Sequence, residues 1–152
     1  MNLDSRSLFV TANGTVDINE IDINRHMNVS QYTKIVDQAT STFVNLEGSI
    51  KSALKVNQTY VAGRLLSIHK RELLLGDQWE MISGVYELSE NTFSLMHKLF
   101  HGKTMSSKFY IKCVVFDLET RTISSIEKNN MLSVTIPFTK GISDPFGRIQ
   151  GV

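Results

Sequence analysis

One stretch of the chain constrains everything around it. From Ser30 to Leu46 the apolar residues Tyr32, Ile35, Val36, Ala39, Phe43 and Leu46 return at helical spacing, which predicts one long helix with one apolar stripe. Asn28, with Gln31 three places on, or Ser30 can accept from the first free backbone N–H groups, and Gly48 can end the helix in a left-handed conformation. Ala39, in the middle of the stripe, leaves room for a sheet to come close. Such a stripe must be covered, and a single curved sheet is the cover the rest of the chain supplies.

That cover is legible further on. Phe93, Leu95, His97 and Leu99 alternate with Thr92, Ser94, Met96 and Lys98. Met105, Ser107, Phe109, Ile111, Cys113 and Val115 alternate with Ser106, Lys108, Tyr110 and Lys112. Period-2 alternation predicts strands with one buried and one wetter face. Turn-prone points lie at Gly76-Asp77, Glu90-Asn91, Gly102-Lys103 and Asp117 to Thr120, and connections this short predict antiparallel neighbours joined by hairpins. With a first strand near Phe9 to Asp17, the expectation is an α+β fold of one helix and one antiparallel sheet. No repeat or linker divides the 152 residues, so 1–152 is expected to be one domain, with an irregular tail over 136–152 that holds both prolines.

Composition narrows the function. Sixteen basic and 15 acidic side chains leave a net charge of +1, no field for a nucleic-acid backbone or an anionic membrane. A lone cysteine, no basic-then-apolar leader and no apolar run near the ~20 residues of a membrane span point to a reducing, cytoplasmic setting. The chain lacks G-x-S-x-G, G-x-G-x-x-G, Walker-type and H-E-x-x-H motifs. His97 and His101 have metal-like spacing but supply only part of a ligand set, so no metal is expected and they read as polar residues in a sheet. Cys113 reads as a small buried hydrophobe, and Arg64, Lys70 and Arg71 as a solvated strand end.

One segment holds chemistry. In Glu20-Ile-Asp22-Ile-Asn24-Arg25-His26-Met27-Asn28, four hydrogen-bonding side chains, Asp22, Asn24, His26 and Asn28, occupy every second position in front of the helix N-terminus. Free N–H groups there suit an anion or a developing oxyanion, and a carboxylate beside them can act as base or nucleophile. The same residues are also ordinary turn and cap formers, so the residues alone leave both readings open.

The pattern Asp22-x-Asn24-x-His26-x-Asn28-x-x-x-Tyr32 resembles the signature of hotdog-fold thioesterases of the 4-hydroxybenzoyl-CoA thioesterase type, and its Asp-x-Asn-x-His form is similar to acyl-carrier-protein thioesterases. The step Glu72-Leu-Leu-Leu-Gly76-Asp77 and the ladder from Phe93 to Asp117 continue the likeness, which spans about residues 8–128. A narrower likeness, through His26-Met-Asn-Val, His69-x-x-Glu72 and Leu95-Met-His97, is to the thioesterase that acts on betainyl-CoA, for which Tyr60, Trp79 and Phe93 would supply an aromatic cage.

The resemblance implies a five- or six-stranded antiparallel sheet wrapped around one helix, in homodimers or homotetramers with sites between subunits. It implies hydrolysis of an acyl thioester of coenzyme A or acyl-carrier protein, with no cofactor. Asp22 falls on the catalytic carboxylate, as base or nucleophile, and Asn24 and His26 on its polar partners. Met27, Asn28 and Val29 would offer backbone N–H groups to the oxyanion, and Tyr32 would lie near the acyl group. Two positions depart from the pattern: Arg25 stands where glycine is common, and Val29 replaces a second asparagine. They support an alternative, a hotdog protein that binds acyl thioesters or a partner without turnover. A hydratase is disfavoured by the absence of a proline before Pro137.

Overall fold

A computed structural model describes residues 8–127. In chain order the elements are β1 (Phe9–Thr15), a 3-10 turn (Ile18–Glu20), α1 (Val29–Glu47), α2 (Ser49–Ala53), β2 (Gln58–His69), β3 (Gln78–Leu88), β4 (Thr92–His101), β5 (Thr104–Asp117) and β6 (Thr122–Ile123). The tail expected over 136–152 lies outside the described residues.

The long helix follows its sequence signals closely. Asn28 caps α1, its side chain accepting from the Ser30 N–H at 2.9 Å. Gly48 ends it at φ 79°, a conformation that costs other residues steric strain. Tyr32, Ile35, Val36, Ala39 and Phe43 form the buried stripe, with Thr40 and Val44. Leu46 does not join them: in the last turn of α1 it is 54% exposed. The first strand is also shorter than expected, because Asp17 leaves the ladder to cap the 3-10 turn through a capping box with Glu20.

All the strands belong to one antiparallel sheet in the order β1-β3-β4-β5-β2, with β6 on β5. Hairpins join β3 to β4 and β4 to β5, as the turn signals at Glu90-Asn91 and Gly102-Lys103 predict. The Gly76-Asp77 turn does not make a hairpin. β2 pairs with β5, so residues 70–77 carry the chain from one side of the sheet to the other. This strap leaves β5 through Lys70 and Arg71 N–H bonds to the Ser106 carbonyl. It then accepts the Met27 N–H on Leu73 at 2.8 Å, and finally exchanges bonds with Val16 beyond β1. Leu73, fully buried, anchors its middle in the core.

Inner-face residues Phe93, Leu95, Leu99, Phe109, Ile111 and Cys113 pack against the α1 stripe. The opposite face is drier than the alternation predicts: Tyr86, Met96 and Tyr110 bury one another with Leu8 and Leu66. Cys113 is buried, and burial pushes its thiol up to about 12, which suits a packing residue and not a nucleophile. His97 is fully buried beneath α1. Its Nε2 lies 3.1 Å from the Thr40 hydroxyl, which donates to the Val36 carbonyl, and its Nδ1 lies 2.5 Å from the Ser83 hydroxyl, itself 2.6 Å from that of Thr11. Helix and sheet are thus joined through one imidazole. His101, by contrast, is exposed on the Gln78 carbonyl, and among the described residues no group of three His, Cys, Asp or Glu could hold a metal ion.

Burial lowers the His97 pKa from 6.5 to about 3. The unfolded chain therefore binds the proton first, so the stabilisation is complete above pH 6.5 and is lost as pH falls from there toward 3. Urea midpoints are expected to show a loss of about 2 kcal/mol between pH 7.5 and pH 5, and His97→Gln should flatten that slope.

Candidate active site

The segment before α1 folds into a tight loop because its own side chains satisfy its backbone. Asp22 Oδ1 accepts the Asn24 N–H at 2.8 Å, the Arg25 N–H reaches the Asp22 carbonyl at 3.0 Å, and the Asp22 N–H reaches the His26 carbonyl at 3.1 Å. Ile21 and Met27 close the loop as an antiparallel bridge. Arg25 sits at its tip with φ 62°. The turn that glycine would make is therefore kept, with an L residue held in the left-handed region.

Asp22, Asn24 and His26 line one face of a cleft of about 510 Å3, with Met27, Val29 and Tyr32 beside the helix start. The strap and the end of β2 line the other face with His69, Lys70, Arg71 and Glu72. The Asp22 carboxylate is held at both oxygens: Oδ2 accepts from the Asn28 amide at 3.3 Å and lies 3.6 Å from His26 Nε2. The other nitrogen of His26 lies 3.0 Å from Glu72 Oε2. A carboxylate, an imidazole and a second carboxylate thus stand in line, with the imidazole oriented from the strap side.

Asn28 is not on the cleft wall: its side chain caps the helix and holds Asp22. The expected row of backbone donors is also shorter. The Met27 N–H is engaged by Leu73 and the Asn28 N–H by the Glu20 carbonyl, each at 2.8 Å. Val29, the first residue of α1, keeps its N–H outside any helical bond. Tyr32 is buried, its hydroxyl set between Ser106 and the Leu73 backbone, and burial raises its pKa.

Four residues of the cleft lie outside the expected site: His69, Glu72, and Lys70 and Arg71, which read as a solvated strand end. Glu72 and His69 are far from the motif in sequence; the strap brings Glu72 to it and the end of β2 brings His69. Their one signal was the His69-x-x-Glu72 spacing within the narrower resemblance. The aromatic cage proposed with that resemblance does not assemble. Tyr60 packs on Phe93 at 5.3 Å, whereas Trp79 lies at the opposite end of β3 against Gly14.

Replacing Arg25 by glycine relieves about 1–2 kcal/mol of left-handed strain and adds about 0.4–1 kcal/mol of unfolded-chain entropy. Arg25→Gly is therefore expected to raise the urea midpoint slightly, whereas Arg25→Val should lower it.

The model of the Thioesterase-like superfamily matches residues 16–138. No curated protein matches the sequence. Among solved structures, the hypothetical protein SAV2348 from Staphylococcus aureus, in complex with CoA, superposes with a TM-score of 0.76 at 20% identity over 95% of each chain. The probable thioesterase YbaW from Escherichia coli gives 0.73 at 16% identity, over 82% of this chain and 96% of its own. The gentisyl-coenzyme A thioesterase BH1999 gives 0.67 at 15% identity, over 83% and 98%. These likenesses establish the hotdog fold. With the motif match over most of its length, the chain belongs to the thioesterase-like superfamily.

Proposed function

We propose that the protein hydrolyses an acyl thioester of coenzyme A to the free acid and thiol, with Asp22 as general base. The observation that carries this reading is the pinned Asp22 carboxylate, in a cleft that also contains the helix start with its open Val29 N–H. A thioester carbonyl is already electrophilic, so a positioned water, a base and an oxyanion donor suffice.

In the reaction Asp22 takes a proton from water as its oxygen bonds to the carbonyl carbon. The π pair moves onto the carbonyl oxygen, where the Val29 N–H receives it. As the C=O bond re-forms the C–S bond breaks, and the departing thiolate takes the proton from Asp22. Both Asp22 oxygens already accept hydrogen bonds, which supports a base over a nucleophile. His26, oriented by Glu72, and Asn24 would hold the water and the carbonyl. The exposed Lys70 and Arg71 at the cleft suit the coenzyme's phosphates, and CoA bound to the neighbour SAV2348 supports the same carrier.

Asp22→Asn and Asp22→Ala are expected to lower thiol release from acyl-CoA by about 10²–10⁴-fold while both stay folded, with a lower melting temperature in Asp22→Ala, which loses the Asn24 bond. Full turnover in both would remove Asp22 from the mechanism, and saturable acyl-CoA binding by the wild-type protein without thiol release would favour the binding reading.

We further propose that the working form is a homodimer paired through β2. This 12-residue strand ends the sheet, and it exposes Val61, Leu65 and Ile68 at 43%, 39% and 38%. A long apolar edge of this kind invites strand pairing, and a second copy is the natural partner. Its last residue, His69, lines the cleft, so the partner would meet the site at its rim. Sedimentation at micromolar concentration should give twice the chain mass, or four times if dimers pair again. Leu65→Lys with Ile68→Lys should give monomers with little activity.

A further inference from the structure

The cleft contains a side chain that the mechanism above leaves idle. His69 closes β2 and lines the same cleft as Asp22 and Val29. Three contacts fix its ring. Nδ1 lies 3.0 Å from the Ser107 hydroxyl, and the ring centroid lies 4.6 Å from that of Tyr32 and 5.7 Å from that of Phe109. Its Nε2 has no hydrogen-bond partner among the described residues.

The neighbouring hydroxyls form a network that can place the ring hydrogen on Nε2. Ser106 gives its single proton to the Arg71 carbonyl at 2.7 Å, an atom that can only accept. Ser107 can then donate to His69 Nδ1 at 3.0 Å or to Ser106 at 3.3 Å. When it donates to Nδ1, Nδ1 is the acceptor and Nε2 carries the N–H, turned to the cleft. Burial of the ring against its aromatic neighbours lowers the His69 pKa, which favours this neutral form.

A separate observation supplies the need. Oxyanions of acyl transfer are held by paired donors. Here the Met27 and Asn28 amides are already engaged, so the helix start offers Val29 alone. His69, Lys70 and Arg71 are all exposed, but only His69 has its side chain held, by the Ser107 hydroxyl and two aromatic rings, and a donor must be fixed before reaction to lower the barrier.

Building on the hydrolase reading, we propose that His69 is a catalytic residue whose Nε2–H is the second donor to the thioester oxygen, acting with the Val29 N–H. As water bonds to the carbonyl carbon and its proton passes to Asp22, the π pair moves onto oxygen and both N–H groups receive it. No proton leaves His69.

The test pairs kinetics with spectroscopy on the full chain. With the acyl-CoA that the wild-type protein turns over fastest, His69→Ala should lower kcat by about 10²–10³-fold with KM within about twofold, and His69→Gln, which keeps an N–H, should recover part of the loss. The ketone analogue of butyryl-CoA, with CH2 in place of sulfur, reports the donors directly. Its bound carbonyl stretch should lie below its value in water for the wild-type protein, and should move back up in His69→Ala. An unchanged kcat, or a stretch that ignores the substitution, in a variant with the wild-type melting curve would overturn the proposal. A wild-type protein that releases no thiol from any acyl-CoA would instead overturn the hydrolase reading, and the analogue's stretch would still decide whether His69 donates.

Discussion

The hydrogen bond from the Met27 N–H to the Leu73 carbonyl, 2.8 Å long, joins the two halves of the site. It exists because β2 is laid beside β5 at one end of the sheet while β3 pairs with β1 at the other. The chain must therefore cross the open end of the curl between them, and it crosses in front of the α1 N-terminus. One backbone bond contributes only about 0.5–1.5 kcal/mol. The fully buried Leu73 adds about 1.5–3 kcal/mol, and fixes the strap where the bond requires it. Arg71 and Glu72 reach the cleft by this route, beside His69 at the end of β2.

The elements best read from sequence are those whose signals are local. Asn28 and Gly48 mark the ends of α1 because capping involves neighbours along the chain, and β4 and β5 announce themselves through inner-face alternation. β2 has no such signature: most of its residues are exposed, so no burial pattern betrays its place. That is why the Gly76-Asp77 turn, placed between two strands, suggests a hairpin that the strand order does not contain. The site divides in the same way. Asp22, Asn24 and His26 lie together because one short loop holds them. Glu72 and His69 arrive by tertiary packing, and the engagement of the Met27 and Asn28 amides depends on carbonyls outside the loop. Non-local hydrogen bonding is invisible to spacing.

Arg25 shows how the same backbone can be reached from a different residue. The turn is over-determined: Asp22 receives N–H groups from Asn24 and Arg25, and Ile21 bridges Met27. A residue at φ 62° is tolerated because these bonds outweigh its strain. The departure from glycine therefore leaves the loop closed and Asp22 in the cleft.

Three of the chain's four histidines have three different fates, and their partners explain each. His97 is buried between hydroxyls of α1 and β3, with no carboxylate to offset a charge, so it stays neutral and serves as a joint between layers. His26 stands between Asp22 and Glu72, where either nitrogen faces an acceptor, and its role is tied to the charge of those carboxylates. His69 has a hydroxyl on one nitrogen and the cleft on the other, with aromatic rings against its face. A ring held this way pays its ordering entropy on folding and not during the reaction, which is the condition under which a weak neutral donor becomes an effective one.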